Sequence, residues 1–326
     1  MVIGLNEIPY LRQFPNDGRI IPLMNYFDGT RWHSYRPEEP GRALDLHVVE
    51  FVSGMYLALD PQHESDLELP LLTFLFQRKP IRATFKAFEP LYNDLENALA
   101  VLHKQFVLFR HYAANADLTY GTIVSTELEY ALFNHRSAYD LINRLIIAFL
   151  RQHHLLKNEP PDSFRKVAQR TIDETKAGYG FSDQVAEFYA AKKDRFLVLR
   201  EARDAIVHHG KSPGFVFKLP HGFGINGNSL VGSELKRGNL WANLKPNEND
   251  LGSCLALLAL LTKDLFDVLA DVTGALTESI ADLPVETAPG YRVFARSQLS
   301  THRILIPTYL DEPWRMDAGS THHTLS

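Results

Sequence analysis

Four stretches of the chain repeat apolar residues every three or four positions, which is the spacing of one buried face of an α-helix. They run over about 85–114, 126–154, 182–210 and 249–280. A shorter helical pattern follows two prolines, over about 163–176. The pattern therefore predicts that long helices form the central part of the protein.

Residues next to these stretches indicate where the helices begin and end. The Thr126 hydroxyl can cap the first turn of the second helix while Glu129 reaches back to it. Ser182 or Asp183 can cap the third long helix, and Gly210 is a common type of helix stop. We expect the third long helix to end there.

The most apolar run, Leu255 to Leu261, is interrupted by Lys263 and Asp264. It is well short of the roughly 20 apolar residues that a membrane-spanning helix needs. We therefore predict a buried helix and no membrane association.

The remaining regions have the short apolar runs and Gly or Pro breaks that are typical of strands and turns. We predict three regions: 1–80, mixed or irregular; 81–283, helical with a β-hairpin or meander at about 211–246; and 284–326, with short strands and a polar tail. The expected strands include Phe215–Phe217, Leu240–Leu244, Tyr291–Ala295 and Arg303–Ile306. The predicted fold class is mainly α, a helical bundle with a β insertion and mixed terminal extensions.

Composition narrows the classes of function. The chain has 326 residues, of which 45% are hydrophobic, and its formal net charge is −5, which argues against a protein that coats nucleic acid non-specifically. Any RNA contact must be local. Cys254 is the only cysteine, so no intrachain disulfide or multi-cysteine metal site can form. This usage and an N-terminus without a secretory pattern favour the cytoplasm.

The chemistry is concentrated at the predicted end of the third long helix. Arg203 and His208 are five positions apart, and the acidic Asp204 directly follows the arginine. Spacing alone is weak, because 21 arginines and 14 histidines in 326 residues give about one such pair by chance. Arg42 and His47 form a second pair outside the long helices. The helical context and Asp204 favour the Arg203 pair.

The Arg203–His208 segment and the order of helices around it, over roughly 85–282, resemble the HEPN superfamily, whose mark is Arg-x(4 to 6)-His with a polar residue after the arginine. The resemblance implies a metal-independent endoribonuclease that acts as a homodimer, with two motif helices lining one cleft. It further implies a role in bacterial defence or as a stress toxin, with an antitoxin or defence protein as a possible partner. Some relatives have a tyrosine two positions after the histidine, where this chain has Gly210.

The expected chemistry assigns one task to each residue. His208 would transfer protons as the ribose 2′-hydroxyl attacks the phosphate, since imidazole titrates near neutral pH. Arg203 would hold the phosphoryl oxygens, and Asp204, four residues before His208, would orient it. On a straight helix Arg203 and His208 lie about 140° apart. Either the helix tightens or ends between them, or two protomers supply the pair.

Other interpretations of these residues remain open. His208 and His209 before Gly210 could simply complete the end of a helix, and the Arg200–Asp204 pair could be an ordinary surface ion pair. A non-catalytic module that binds RNA, a nucleotide or a protein partner is the alternative function. Polar residues that could support the site are Arg200, His209, Asn134, His135, Arg136 and Asp140.

We expect neither a metal nor a cofactor. The histidines 208, 209 and 221 with Asp204 have no established metal-ligand spacing. The glycines between 222 and 232 lack the Gly-Lys-Ser/Thr of a phosphate-binding loop. Sequence motifs of serine hydrolases and zinc proteases are also absent.

Overall fold

A computed structural model describes residues 1–11, 25–39, 41–48, 53–77, 82–114, 119–209, 214–280, 290–297 and 299–316. Within these ranges it does not describe the side chains of residues 37, 82–87, 113–114, 205 and 207–209. The α-helices are α1 (Pro70–Gln77), α2 (Arg82–Ala114), α3 (Tyr120–Gln152), α4 (Phe164–Ala168), α5 (Ile172–Tyr179), α6 (Asp183–His209), α7 (Leu230–Arg237), α8 (Cys254–Ser279) and α9 (Ser300–Asp311). The strands are β1 (Val2–Gly4), β2 (Asn25–Phe27), β3 (Trp32–Glu39), β4 (Arg42–Val48), β5 (Gly54–Ala58), β6 (Leu67–Glu68), β7 (Val216–Leu219), β8 (Gly222–Asn226), β9 (Leu251–Ser253) and β10 (Arg292–Arg296).

Helix α8 lies at the centre of the molecule. It begins after Ser253, whose hydroxyl oxygen accepts a hydrogen bond from the amide of Ala256 at 3.2 Å. Every residue from Cys254 to Leu261 is at most 6% exposed. Helices α1, α2, α3, α6 and α9 pack around α8. The prediction of a buried helix is therefore confirmed.

A seven-stranded sheet unites the two ends of the chain. Its strand order is β1-β4-β3-β2-β5-β10-β6, and β2 pairs with β5 in parallel while the other pairs are antiparallel. β10, near the C-terminus, lies between β5 and β6. Helix α1 supports it, since the Thr73 hydroxyl oxygen accepts a hydrogen bond from the amide of Val293 at 2.9 Å.

This sheet makes the predicted fold class wrong. The protein has a mixed α/β fold and is not a helical bundle with terminal extensions. The physical reason is that β5 and β10 are more than 230 residues apart, as Ala58 pairs with Arg292. Local periodicity indicates that a strand exists but not which distant strand satisfies its backbone hydrogen bonds.

A second sheet occupies the predicted β insertion and extends past it. β7 and β8 form a hairpin, and β9 adds a third antiparallel strand. Leu240–Leu244 was expected to be a strand, but residues Trp241–Leu244 form a 3₁₀ turn. The Trp241 indole N–H donates to the Asp250 carboxylate at 2.9 Å, which fixes this turn beside β9.

Two other local predictions need correction. Helix α3 begins at Tyr120, so Thr126 lies inside the helix and its hydroxyl donates to the carbonyl of Thr122 at 3.0 Å instead of capping. Arg303–Ile306 lies in α9 and not in a strand. Ser182 does cap α6, because its hydroxyl oxygen accepts from the amide of Val185 at 3.3 Å.

The sheet that joins the two ends predicts a large effect of Phe294→Ala. Phe294 is 1% exposed and stacks on Tyr56 at 5.5 Å between ring centroids. We expect the free energy of unfolding in urea to fall by about 3–5 kcal/mol, because truncation leaves a cavity. Phe217→Ala, at a strand position that is 40% exposed, is the matched control and should cost less than about 1 kcal/mol. Equal effects would contradict the position of β10 in the core.

Candidate functional site

The predicted centre lies on the second half of α6, where Arg203 faces the protein interior. Arg203 is 8% exposed, and its neighbours on that face, Leu199 and Ile206, are 2% and 8% exposed. Sequence spacing had placed these three side chains on one apolar stripe, and the structure confirms it. A guanidinium at such a position requires polar partners, since burying an unpaired charge is costly.

Arg203 is held by a neighbouring carboxylate and an aromatic ring. Its Nη1 donates to Asp204 Oδ1 at 2.7 Å, and Arg200 Nη2 lies 2.6 Å from Asp204 Oδ2. The guanidinium carbon lies 4.1 Å from the centroid of the Phe133 ring on α3, which is a cation–π contact. Among the described residues, Arg203 Nε has no hydrogen-bond partner. The guanidinium is therefore fixed, and the N–H group that has no partner among the described residues is buried.

Helix α6 is continuous past Arg203 and includes both histidines of the motif. It runs to His209, so it does not end between Arg203 and His208. On one straight helix, positions 203 and 208 are about 140° apart around the axis. The side chains of His208 and His209 lie outside the described residues, so the hydrogen bond expected between Asp204 and His208 stays a prediction.

Two of the supporting candidates on α3 are buried structural residues. Asn134 is 6% exposed, and its side-chain amide donates to the carbonyl of Asp94 at 2.6 Å. His135 is 2% exposed, and its Nε2 lies 2.7 Å from Asp264 Oδ2. Both side chains point away from solvent, so a ligand cannot reach them from the surface.

Arg136 and Asp140, the other two candidates on α3, form an ion pair next to the start of α4. Arg136 Nη2 lies 3.4 Å from Asp140 Oδ2. The other oxygen of Asp140 accepts a hydrogen bond from the amide of Phe164 at 3.0 Å, at the first turn of α4. Asp140 therefore anchors a helix N-terminus.

Asp264 is a charged residue on α8. From the sequence it was predicted only to interrupt an apolar run. It is 2% exposed and contacts three groups, namely His135, the Tyr139 hydroxyl at 2.7 Å and Arg195 Nε at 2.6 Å. Burial alone would raise the pKa of Asp264, but the hydrogen bonds from His135 and Tyr139 and the charges of His135 and Arg195 outweigh it and lower that pKa. This cluster fixes α3 and α6 against α8.

An exposed apolar face of α3 lies beside Arg203. Ile123, Tyr130 and Phe133 are 38%, 42% and 47% exposed, and their spacing of seven and three residues places them on one side of the helix. This face was not predicted from the sequence. It could have been found, because its apolar residues lie outside the main buried stripe of the helix. Exposed apolar patches mark sites of interaction.

A cleft of about 530 Å³ lies along the first turns of α3. Phe133 contacts Arg203, and Tyr139 contacts Phe196 at 5.1 Å between ring centroids, so α6 runs antiparallel to α3. The end of α6 is consequently directed towards the first turns of α3. The described residues that line the cleft are Tyr120, Gly121, Thr122, Ser125, Thr126, Glu129, Gly214, Phe215 and Val216.

The competing pair, Arg42 and His47, lies on strand β4. Residues five positions apart on a strand point to opposite faces of the sheet, so these two side chains cannot form one site. Arg42 instead pairs with Glu39 at 2.8 Å.

In the described part of the chain, one group of side chains has the geometry to hold a metal ion. Ligand atoms of His33, Asp45 and His47 all lie within 4.8 Å of one another. None of the three was proposed from the sequence. The available signal was Asp-x-His in a segment of alternating pattern, which places both side chains on one face of a strand.

Comparison with known proteins gives no assignment. No family model, no curated protein and no solved structure matches the chain. In the described part, no helix is both long and apolar enough to cross a lipid bilayer.

Asp264→Asn tests the buried cluster. We expect it to lower the free energy of unfolding by about 3–5 kcal/mol, because it removes the charge that compensates Arg195 and His135. Asp267→Asn on the same helix is the control, since Asp267 forms an exposed pair with Lys263 that contributes about 0–1 kcal/mol. Similar losses in both variants would contradict the role of the cluster.

The same carboxylate predicts a pH dependence. Because the pKa of Asp264 is lower in the folded protein, its contribution is fully present above the unfolded value, about 3.9, and is lost as pH falls below it. The stability difference between the parent protein and Asp264→Asn, measured by urea unfolding, should therefore be constant near neutral pH and shrink below about pH 4. A difference that grows in acid would contradict the lowered pKa.

Proposed function

We propose that this protein is a HEPN-like, metal-independent endoribonuclease that acts at the cleft of a homodimer. The observation that carries the proposal is the position of Arg203, whose guanidinium a carboxylate and an aromatic ring hold near the end of α6. A guanidinium fixed in this way is preorganised for phosphate.

The reaction is attack of a ribose 2′-hydroxyl on the adjacent phosphate. His208 removes the proton of that hydroxyl or returns one to the leaving 5′-oxygen. Arg203 stabilises the charge that accumulates on the phosphoryl oxygens, and Arg200 adds positive charge one turn earlier. Asp204 contacts both arginines and holds their side chains in place. The RNA supplies its own nucleophile, the 2′-hydroxyl, so this reaction needs no metal ion.

The continuity of α6 supports a site shared between two protomers. The helix neither ends nor changes type before His209. Positions 203 and 208 of one straight helix are about 140° apart, and a second chain can bring its own His208 to the first chain's Arg203. The exposed apolar side chains Ile123, Tyr130 and Phe133 on the neighbouring face of α3 support such an association.

A specific observation favours a second candidate, a non-catalytic module that binds RNA. Arg203 is 8% exposed, its Nη1 already contacts Asp204, and Phe133 covers its face. These contacts also suit an arginine that only stabilises the fold or binds a phosphate without cleavage. The nuclease assay separates this candidate from the first.

The cellular setting is proposed from chemistry and from the family resemblance. Cys254 is fully buried, and burial raises the pKa of its thiol, so the chain has no disulfide or reactive cysteine among its described residues. We place the protein in the cytoplasm, where a defence or stress toxin would meet RNA and an antitoxin or defence partner.

The direct test is cleavage of a mixed-sequence RNA by purified protein in excess chelator. We expect cleavage by the parent, and rates lower by about 10² or more for Arg203→Ala and His208→Ala. Arg237→Ala and His63→Ala, which alter exposed residues, are the controls and should cleave normally. Urea unfolding of each variant excludes simple loss of the fold.

Three results of this test are decisive. No cleavage by the parent, or equal cleavage by all variants, would contradict the nuclease. RNA binding without cleavage, weakened by Arg203→Ala, would establish the second candidate instead.

Mixing two inactive variants tests the shared site. If Arg203 of one chain works with His208 of the other, an Arg203→Ala/His208→Ala heterodimer retains one complete site of two. Random exchange of subunits should then restore about one quarter of the parent activity. Absence of any recovery, with exchange verified by mass, would contradict a site composed of two chains.

A further inference from the structure

The cluster of His33, Asp45 and His47 is created by the pairing of β3 with β4. In the antiparallel register His33 lies opposite His47, and Tyr35 lies opposite Asp45. Asp45 and His47 are two residues apart on β4, so they point to the same face as His33. Three potential metal ligands from two strands therefore converge on rigid backbone.

The distances between the ligand atoms suit a tetrahedral metal ion. His33 Nδ1 lies 3.1 Å from Asp45 Oδ2, and His47 Nε2 lies 3.8 Å from the same oxygen. Zinc bonds to nitrogen and oxygen are about 2.0–2.1 Å long, so two ligands of a tetrahedral ion are about 3.3 Å apart. Small rotations of the exposed His47 side chain would bring all three atoms to this separation.

A second carboxylate orients the His33 ring from its other side. Asp28 Oδ2 lies 3.1 Å from His33 Nε2. Asp28 Oδ1 is itself fixed, because it accepts hydrogen bonds from the amides of Thr30 and Arg31, each at 2.7 Å. A carboxylate that accepts the N–H of a metal-bound imidazole is a recurrent outer partner in zinc sites, since it fixes the tautomer and ring orientation.

Charge and burial also favour a cation at this position. The side chains of His33 and Asp45 are 13% and 10% exposed, and that of Asp28 is 32% exposed. Two carboxylates thus face one imidazole in a partly buried site, with a second imidazole next to it. A divalent ion balances both negative charges.

We propose that His33 Nδ1, Asp45 and His47 Nε2 bind a divalent transition-metal ion of the zinc class. Two imidazoles and one carboxylate are a donor set that suits zinc and other late first-row ions. The described residues supply three ligands, so at least one coordination position of a tetrahedral ion is open to water or a small ligand. The site is separate from the chemistry of Arg203 and does not depend on it.

The test uses tag-free full-length protein, stripped with chelator and dialysed, titrated with Zn²⁺ and monitored by calorimetry and thermal unfolding. We expect one Zn²⁺ per chain that raises the unfolding temperature. Co²⁺ in the same site should give the absorption of a tetrahedral complex. An N-terminal tag is avoided because the Met1 ammonium group donates to the carbonyl of Asp45.

Variants distinguish this site from other histidines. His47→Ala changes a side chain that is 52% exposed and should preserve the fold but abolish the one-to-one binding. Asp28→Asn should weaken affinity by about 10–100-fold, as expected for loss of an outer partner. His63→Ala and the double change His322→Asn/His323→Asn in the tail should bind like the parent.

The opposite results would overturn the proposal. No Zn²⁺ or Co²⁺ binding by folded parent protein would show that His33 only bridges two carboxylates. Binding that survives His47→Ala and is lost on the tail change would place the ion elsewhere. RNA cleavage is measured in excess chelator. A negative result for the nuclease is therefore independent of a negative result for metal binding.

Discussion

The structure depends on the partners of one carboxylate, Asp264, on the buried side of helix α8. Helix α8 is surrounded by other helices, so a charge on its central turns must find partners from them or destabilise the fold. His135 and Tyr139 of α3 and Arg195 of α6 provide those partners. Since hydrogen bonds require defined distances, this cluster sets the register of three helices where apolar packing alone would tolerate sliding.

That register determines what surrounds Arg203. Two turns along α6 from Arg195, Arg203 meets Phe133, which is half a turn before His135 on α3. The guanidinium thus lies between a fixed carboxylate and an exposed aromatic ring at the edge of an apolar helix face. The same continuous helix carries positions 203 and 208, and this continuity is what links the proposed chemistry to the proposed dimer.

The sheet is organised by a different constraint, the satisfaction of backbone hydrogen bonds between distant strands. β10 pairs with β5 on one side and β6 on the other, and Thr73 of α1 accepts a hydrogen bond from its backbone. Tyr35 and His33 share one face of β3; Tyr35 packs on Tyr10 in the aromatic core, and His33 lies beside Asp45 and His47. The cluster of His33, Asp45 and His47 thus lies beside a buried aromatic layer, on a rigid backbone and within reach of a small ion.

The sequence by itself determined the long helices, the burial of α8 and the inward direction of Arg203, because each follows from side chains within a few turns of one another. It could not determine that the two ends share a sheet, that His135 contacts Asp264, or that His33 meets Asp45 and His47. Those contacts join residues that are far apart in the sequence. They arise from strand pairing and from the burial of charged groups, and neither leaves a periodic pattern in the local sequence. Tertiary structure alone decided them, and with them the mixed α/β class of the fold.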